Sequence, residues 1–197
     1  MTTRAFGIDV SGNNGPFNWS PWKDHIQFAA AKATEGRNFT DPEFASNWQG
    51  METIGVYRFA YHYGVPDNDP SGQASRFLET IESHGLKKDD NFFLDLEDTG
   101  GLDPVDVSFW AWTFCHEVNR LKPGHRTVVF TYPSFADEGN CARLGGHPLW
   151  IANYDVPTPE VPLPWRAWQF WQYSGQTLDR DVFNGDAAEL AKFCGNG

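Results

Sequence analysis

At 197 residues, 40% of them hydrophobic and 21% charged, the chain is long enough to bury a substantial core, and one domain over 1–197 is expected. No apolar run approaches the roughly 20 residues that span a bilayer, so membrane insertion is not expected. A formal net charge of −11, with the 15 Lys and Arg scattered along the chain, sets nucleic acid aside, because phosphate binding needs clustered cations. The 16% aromatic content leans instead toward carbohydrate, since aromatic faces pack on the apolar faces of sugar rings, although most of the Phe are better read as core.

In chain order, Met1-Thr2-Thr3-Arg4 runs directly into Phe6-Gly7-Ile8-Asp9, with no charged segment followed by an apolar one, so no secretion signal is visible. That reading leaves open a cytosolic protein, export by another route, or a signal already removed. Short apolar runs then alternate with helix-like stretches, the pattern of an α/β protein with a mainly parallel sheet. Eight strands are predicted: Phe6–Val10, Phe28–Lys32, Gly55–Tyr63, Asn91–Leu96, Thr127–Tyr132, Leu149–Asn153, Ala167–Tyr173 and a short one at Arg180–Phe183. Helices are predicted at Pro42–Met51, Ser71–His84, Pro104–Leu121 and Ala187–Phe193, with Pro42 and Pro104 at first-turn positions. Pro157, Pro159, Pro162 and Pro164 make Asp155–Trp165 an extended loop.

Cys115, Cys141 and Cys194 include no C-x-x-C pair and no zinc spacing, so a disulfide framework is not expected, while one bridge between two of them stays open. Cys115 lies in an apolar segment and is expected to be buried.

Eight strands with about five helices suggest an α/β fold closed as a (β/α) barrel. It would be irregular and trimmed, because the chain is shorter than the roughly 250 residues of a regular barrel. The trimming is expected in the last third, where helices thin out.

On this strand map Asp9 falls at the end of the first strand, Asp95 and Glu97 at the end of the fourth, and Asp179 just before the last. Carboxyl ends of barrel strands converge on one face, where barrel enzymes build their sites. Residues i and i+2 of a strand project to one side about 6.6 Å apart, so Asp95 and Glu97 are close enough to perturb each other. Burial and a neighbouring negative charge keep one such acid protonated, the division of labour that glycosidases need. Each acid alone also reads as an Asx turn, a helix cap or a solvated pair with Arg180; only the joint pattern points to a site.

The ordered motifs Gly7-Ile8-Asp9-Val10-Ser11, Lys32-Ala33-Thr34-Glu35-Gly36, Asp41-Pro42-Glu43-Phe44 and Phe59-Ala60-Tyr61-His62-Tyr63 continue through Phe93-Leu94-Asp95-Leu96-Glu97 and Tyr132-Pro133-Ser134-Phe135. They end with Leu149-Trp150-Ile151-Ala152-Asn153-Tyr154, Phe170-Trp171-Gln172-Tyr173 and Leu178-Asp179-Arg180-Asp181-Val182-Phe183-Asn184-Gly185. Nearly end to end, the chain resembles the Chalaropsis-type lysozymes, glycoside hydrolase family 25, found among phage lysins and bacterial autolysins. The resemblance implies an irregular β/α barrel that hydrolyses the β-1,4 bond between N-acetylmuramic acid and N-acetylglucosamine in peptidoglycan, without metal or organic cofactor. It implies Glu97 as proton donor, Asp95 as its strand partner, and Asp9 and Asp179 as flanking carboxylates. The family often has Asn where this chain has Asp181, which leaves either Asp of the last strand open as the one that reaches the site; motif position favours Asp179.

Tyr61, Tyr132, Trp150, Asn153 and Gln172, at predicted strand ends, are candidates for sugar contact, with Lys32 and Glu35 behind them. His62 reads as a structural, hydrogen-bonded residue. Alternatives are a non-catalytic glycan-binding barrel and a chitin-type glycosidase; the intact Asp95-x-Glu97 speaks against the first, and Asp9 with Asp179 against the second. Retention through the substrate's acetamido group and inversion through a carboxylate-activated water both stay open. The partner expected is the bacterial glycan strand, the protein a monomer acting on the cell wall, reached by phage-lysin-type release or as a trimmed secreted enzyme.

Overall fold

A computed structural model describes residues 3–67 and 69–195. Its strands are β1 (Phe6–Val10), β2 (Phe28–Glu35), β3 (Phe39–Thr40), β4 (Tyr57–Tyr63), β5 (Asn91–Asp95), β6 (Thr127–Thr131), β7 (Leu149–Ala152), β8 (Phe170–Ser174) and β9 (Asp179–Phe183). The order β1-β9-β8-β7-β6-β5-β4-β2 closes by pairing of β1 with β2, and β3 is a short antiparallel addition to β2. The result is a closed barrel of eight strands with one extra strand. β1, β2 and β4 to β8 run parallel, whereas β9 is antiparallel to both β8 and β1. A chain that returns to β9 through a hairpin brings its start, not its end, to the carboxyl mouth of the barrel.

The helices are α1 (Phe44–Ile54), α2 (Pro70–Glu82), α3 (Pro104–Leu121), the single turn α4 (Pro133–Phe135) and α5 (Ala187–Cys194). Side-chain caps start α2, α3 and α5, whereas α1 has none. Asp69 Oδ1 accepts from Gly72 N at 2.9 Å ahead of α2, and Asp103 Oδ1 accepts from Asp106 N at 3.0 Å ahead of α3, each followed by Pro at the first turn. Asp186 and Glu189 form a reciprocal capping box at α5. Two expected boundaries move. Pro42 precedes the N-cap Glu43 instead of opening α1, and Gly55 ends that helix in the left-handed conformation (φ 77°), so β4 begins at Tyr57. Beyond β6 only α4 and one π-type turn (Ala136–Asn140) separate β6 from β7, and the proline-rich loop leads into β8, the trimming anticipated.

Two apolar layers follow from the period of two along each strand. Outward residues such as Ile8, Ala29, Ala31, Leu94, Val129 and Ile151 pack beneath the helices with Trp48, Phe77, Trp110 and Phe114. Inward residues fill the barrel itself. Trp150 and Phe170 stack at 4.5 Å between centroids, with Phe28 and Phe59 edge-on to both. Packing is close enough that a Cβ on Gly7 would lie 2.3 Å from the Phe28 ring. Leu190 and Cys194 of α5, with Phe193, seal the floor against Phe170 and Phe183. The barrel is therefore a packed core below and a cup only at its carboxyl end.

Cys115, Cys141 and Cys194 are buried free thiols. Burial pushes the thiols of Cys141 and Cys194 up to about 12 and that of Cys115 further, so none carries a nucleophilic thiolate near neutrality.

Candidate active site

The mouth of the cup is acidic because three strands, β1, β5 and β9, bring inward carboxylates to it. On β5 the alternation that turns Phe92 and Leu94 outward turns Phe93 and Asp95 inward, and Glu97 continues that side beyond the strand. On β1, Asp9 is inward and sits opposite Asp179 of β9, while Asp181 sits opposite Gly7. The glycine leaves room for the Phe28 ring beneath. Asp9 and Asp95 are 6% and 8% exposed and Asp181 is fully buried, whereas Glu97 and Asp179 are half-buried and reach the opening.

Burial raises the proton affinity of every one of these acids, and their proximity raises most of it further. Asp9 is pushed up to about 7 by burial and then by Asp179. Asp95 lies well above the usual carboxylate range through burial, then Glu97 and Asp9, with Lys32 pulling the other way. Burial and then Asp179 raise Glu97; burial raises Asp179. Groups coupled this closely titrate as a set, in which protons persist to higher pH than on any exposed acid.

Hydrogen bonds fix the deeper acids. Gln172 Nε2 donates to Asp9 Oδ2 at 2.7 Å, the Tyr154 hydroxyl donates to Gln172 Oε1, and Trp150 Nε1 donates to Asp181 Oδ1 at 2.8 Å. Tyr61 lies flat on Phe93 (4.6 Å, 10°). Asp95 Oδ1, by contrast, is buried without a partner among the described residues. A buried acceptor of this kind costs stability, and in an enzyme mouth it marks a position that a ligand donor completes.

Beside the acids opens a cleft of about 520 Å³ lined by Glu97, Tyr132, Ser134, Asn153, Tyr154 and Glu160, among others. Tyr132 and Asn153 thus face the space where Glu97 points. Lys32 is at the rim, its ammonium 2.5 Å from Glu35 and over the Tyr63 ring at 4.9 Å. Gln172 is buried and holds Asp9, so it positions an acid and is not itself on the surface. Trp150 departs further from expectation: it is completely buried among Phe28, Phe59, Phe93 and Phe170 and is not placed to touch a sugar. The strand is so short that position 150 belongs to the packed layer, and the same alternation brings Tyr154 to the opening.

His62 is held as expected for a structural residue. Gln73 Nε2 donates to Val65 O at 2.8 Å, which turns Gln73 Oε1 toward His62 Nε2 (2.8 Å) and leaves His62 Nδ1 to accept from Thr34 Oγ1 (2.8 Å). Its ring stacks on Phe114 at 4.9 Å, and burial pushes it down to about 4, so it stays neutral. The sequence reading kept Asp181 only as the alternative to Asp179 and did not single out Tyr154, whereas the structure places both within the cluster. The period-two rule applied to 179, 181, 183 and to 150, 152, 154 is the signal that finds both. Among the described residues, no group of three or more His, Cys, Asp or Glu is arranged to hold a metal ion.

A barrel whose open end gathers carboxyl groups of raised proton affinity beside an open cleft fits a glycosidase class of site, one that works by proton transfer and charge stabilisation. Comparison with known proteins gives the family. Residues 8–182 match the sequence profile of Glycosyl hydrolases family 25. Lysozyme M1 of Streptomyces globisporus is 32% identical over 99% of this chain and 73% of its own length. The N,O-diacetylmuramidase of Chalaropsis sp is 29% identical over 85% of this chain and 87% of its own. The bacterial lysozyme of Streptomyces coelicolor superposes with a TM-score of 0.89 at 30% identity, over 100% of this chain and 99% of that one. The chain belongs to glycosyl hydrolase family 25, and it is a glycoside hydrolase.

Proposed function

We propose that this protein is a muramidase that hydrolyses the β-1,4 bond between N-acetylmuramic acid and N-acetylglucosamine in bacterial peptidoglycan. The observation that carries the reading is Glu97 facing the cleft with its proton affinity raised, two residues beyond Asp95 with its unpartnered buried oxygen. The names of the relatives support the same substrate.

Glu97 gives its proton to the glycosidic oxygen as the bond to the anomeric carbon breaks. The carbonyl oxygen of the substrate's own 2-acetamido group attacks that carbon, so no protein nucleophile is needed. Asp95 accepts the acetamido N–H through the oxygen left unpartnered in the protein and steadies the positive charge. Asp9 and Asp179 line the mouth where the oxocarbenium-like charge develops. Water, deprotonated by Glu97, then opens the cyclic intermediate. Tyr132, Asn153 and Tyr154 are the cleft residues for sugar contact, and Lys32 holds the rim near Asp95. No cofactor takes part.

We further propose that residues 1–197 act as one catalytic domain and as a monomer at the bacterial cell wall, reached by phage-lysin-type release or by secretion. No helix among the described residues is long and apolar enough to cross a membrane. Size-exclusion chromatography with light scattering tests the oligomeric state. The reaction is tested by mass spectrometry of muropeptides released from purified walls. New reducing ends on N-acetylmuramic acid support it; reducing ends on N-acetylglucosamine, or peptide cleavage alone, overturn it.

A further inference from the structure

Asp9 of β1 and Asp181 of β9 point into the barrel from paired strands, Asp181 one inward position below Asp9. Ionised carboxylates only accept, so a bond between two of them requires a proton on one. Geometry says which. Asp9 lies nearer the mouth and already accepts from Gln172 Nε2, the arrangement that favours an anion. Asp181 is completely buried, level with the Trp150 ring; its Oδ1 accepts from Trp150 Nε1, and no donor reaches its Oδ2. Unlike Asp95 Oδ1 at the mouth, Asp181 Oδ2 is out of reach of any ligand donor, so the carboxyl O–H resides there.

We propose that Asp181 is a positioning residue that keeps its proton at neutral pH and donates it to Asp9, fixing the orientation of Asp9 at the base of the catalytic mouth. The chain of bonds then runs from Trp150 Nε1–H to Asp181, from Asp181 Oδ2–H to Asp9, and onto Asp9 from the other side through Gln172, itself held by the Tyr154 hydroxyl. Asp181 touches no substrate. The groups facing the pair are Asp179 on β9, Glu97 and Asp95 beyond and on β5, Tyr61 on β4, Tyr154 after β7 and Lys32 at the rim of β2. Anions dominate this ring, and burial keeps Asp181 well above the usual carboxylate range. The pair therefore carries at most one negative charge over the working range. Were Asp181 to ionise, two adjacent anions would repel and Asp9 would swing out of register.

This inference rests on the muramidase reading for its rate readout only; its spectroscopic readout is independent of any substrate. In protein labelled with 13C at Asp carboxyl carbons, Asp181 should hold the shift of a protonated carboxyl through neutral pH while Asp9 titrates. A carboxylate shift for Asp181 at neutrality overturns the proposal, whatever the enzyme cleaves. Asp181→Asn keeps a donor toward Asp9 and an acceptor for Trp150, and should retain kcat within a few-fold. Asp181→Leu keeps the volume but removes the donor, and should lower kcat by about 10- to 100-fold with KM little changed, as expected for a misoriented group. It should also raise the pH at which Asp9 titrates. Equal kinetics and equal titration in the Asn and Leu variants would show that Asp181 only fills space, and would sink the assignment.

Discussion

Glu97 and Asp95 sit two residues apart, yet they are asked to do different things, and substitutions should separate them. Glu97→Gln retains shape and removes the transferable proton, so wall lysis should fall by at least about 100-fold with unfolding temperature unchanged; retention of a tenth of the activity would rule Glu97 out as the acid. Asp95→Asn should also be severe but leave measurable turnover, because an amide oxygen still accepts the acetamido N–H without the charge. Stereochemistry tests the same pair. Proton NMR of freshly cleaved sugar should show the β-anomer first; an initial excess of the α-anomer would replace the acetamido route by direct water attack. Asp179 acts on its neighbours through charge. Removing it in Asp179→Asn should lower the titration of Asp9 from about 7, since Asp179 raises that value, and carboxyl 13C shifts would register an unchanged midpoint as a failure.

At the scale of elements, the decisive feature is the reversed direction of β9. It places Asp179 at the mouth and Asp181 one layer down, opposite Gly7, so a single five-residue strand contributes both a rim and a buried carboxyl group. β4 shows how the outer face is fixed. Arg58 points out of the barrel, donates to Asp90 through Nε (2.8 Å) and Nη2 (2.7 Å), and lies over Trp48 at 4.0 Å, with Arg58 and Asp90 each 3% exposed. Arg58→Ala should cost about 3–5 kcal/mol in chemical denaturation, because it leaves Asp90 buried without its cation. The double change Arg58→Met with Asp90→Asn should recover a good part of that loss; a larger loss in the double variant would contradict the desolvation argument.

For the whole molecule two electrostatic consequences follow. The first concerns pH and stability. The site carboxyls bind protons more tightly in the fold than in the unfolded chain, so their contribution is fully present in acid and is lost as pH rises through their folded values, about 7 for Asp9. His62, pushed down to about 4, has the opposite sign: its contribution is lost as pH falls from about 6.5 toward 4. Between about pH 6.5 and 8, below the range in which the buried thiols contribute, the carboxyls dominate, so the melting temperature should rise on acidification from about pH 8 to about pH 6.5, and a flat or falling curve there would contradict the buried-acid assignment. The second concerns salt. A chain at −11 approaching a largely anionic wall is repelled over about 10 Å at 0.1 M salt, so lysis should speed up from very low to moderate ionic strength. A steady decline in turbidity clearance with salt would reveal a local basic patch that outweighs the net charge.

The sequence by itself determined most of the elements and the convergence of the acids. Phe6–Val10 and Pro104–Leu121 are found where predicted, because their signals are local: an apolar run in one, Asp103 and Pro104 at a helix start in the other. Asp9, Asp95, Glu97 and Asp179 were legible as a set because strand ends of a barrel share one face. What only the tertiary structure decided depends on partners distant in sequence. The antiparallel hairpin to β9 is a choice of pairing, and local propensity is blind to it. Trp150 was expected at the sugar and Asp181 was left as the lesser of two acids, yet they meet as a buried donor and acceptor 31 residues apart. Depth within a barrel is set by how eight strands close around their side chains, and that closure, not any one segment, separates a residue that touches substrate from one that holds the residue that does.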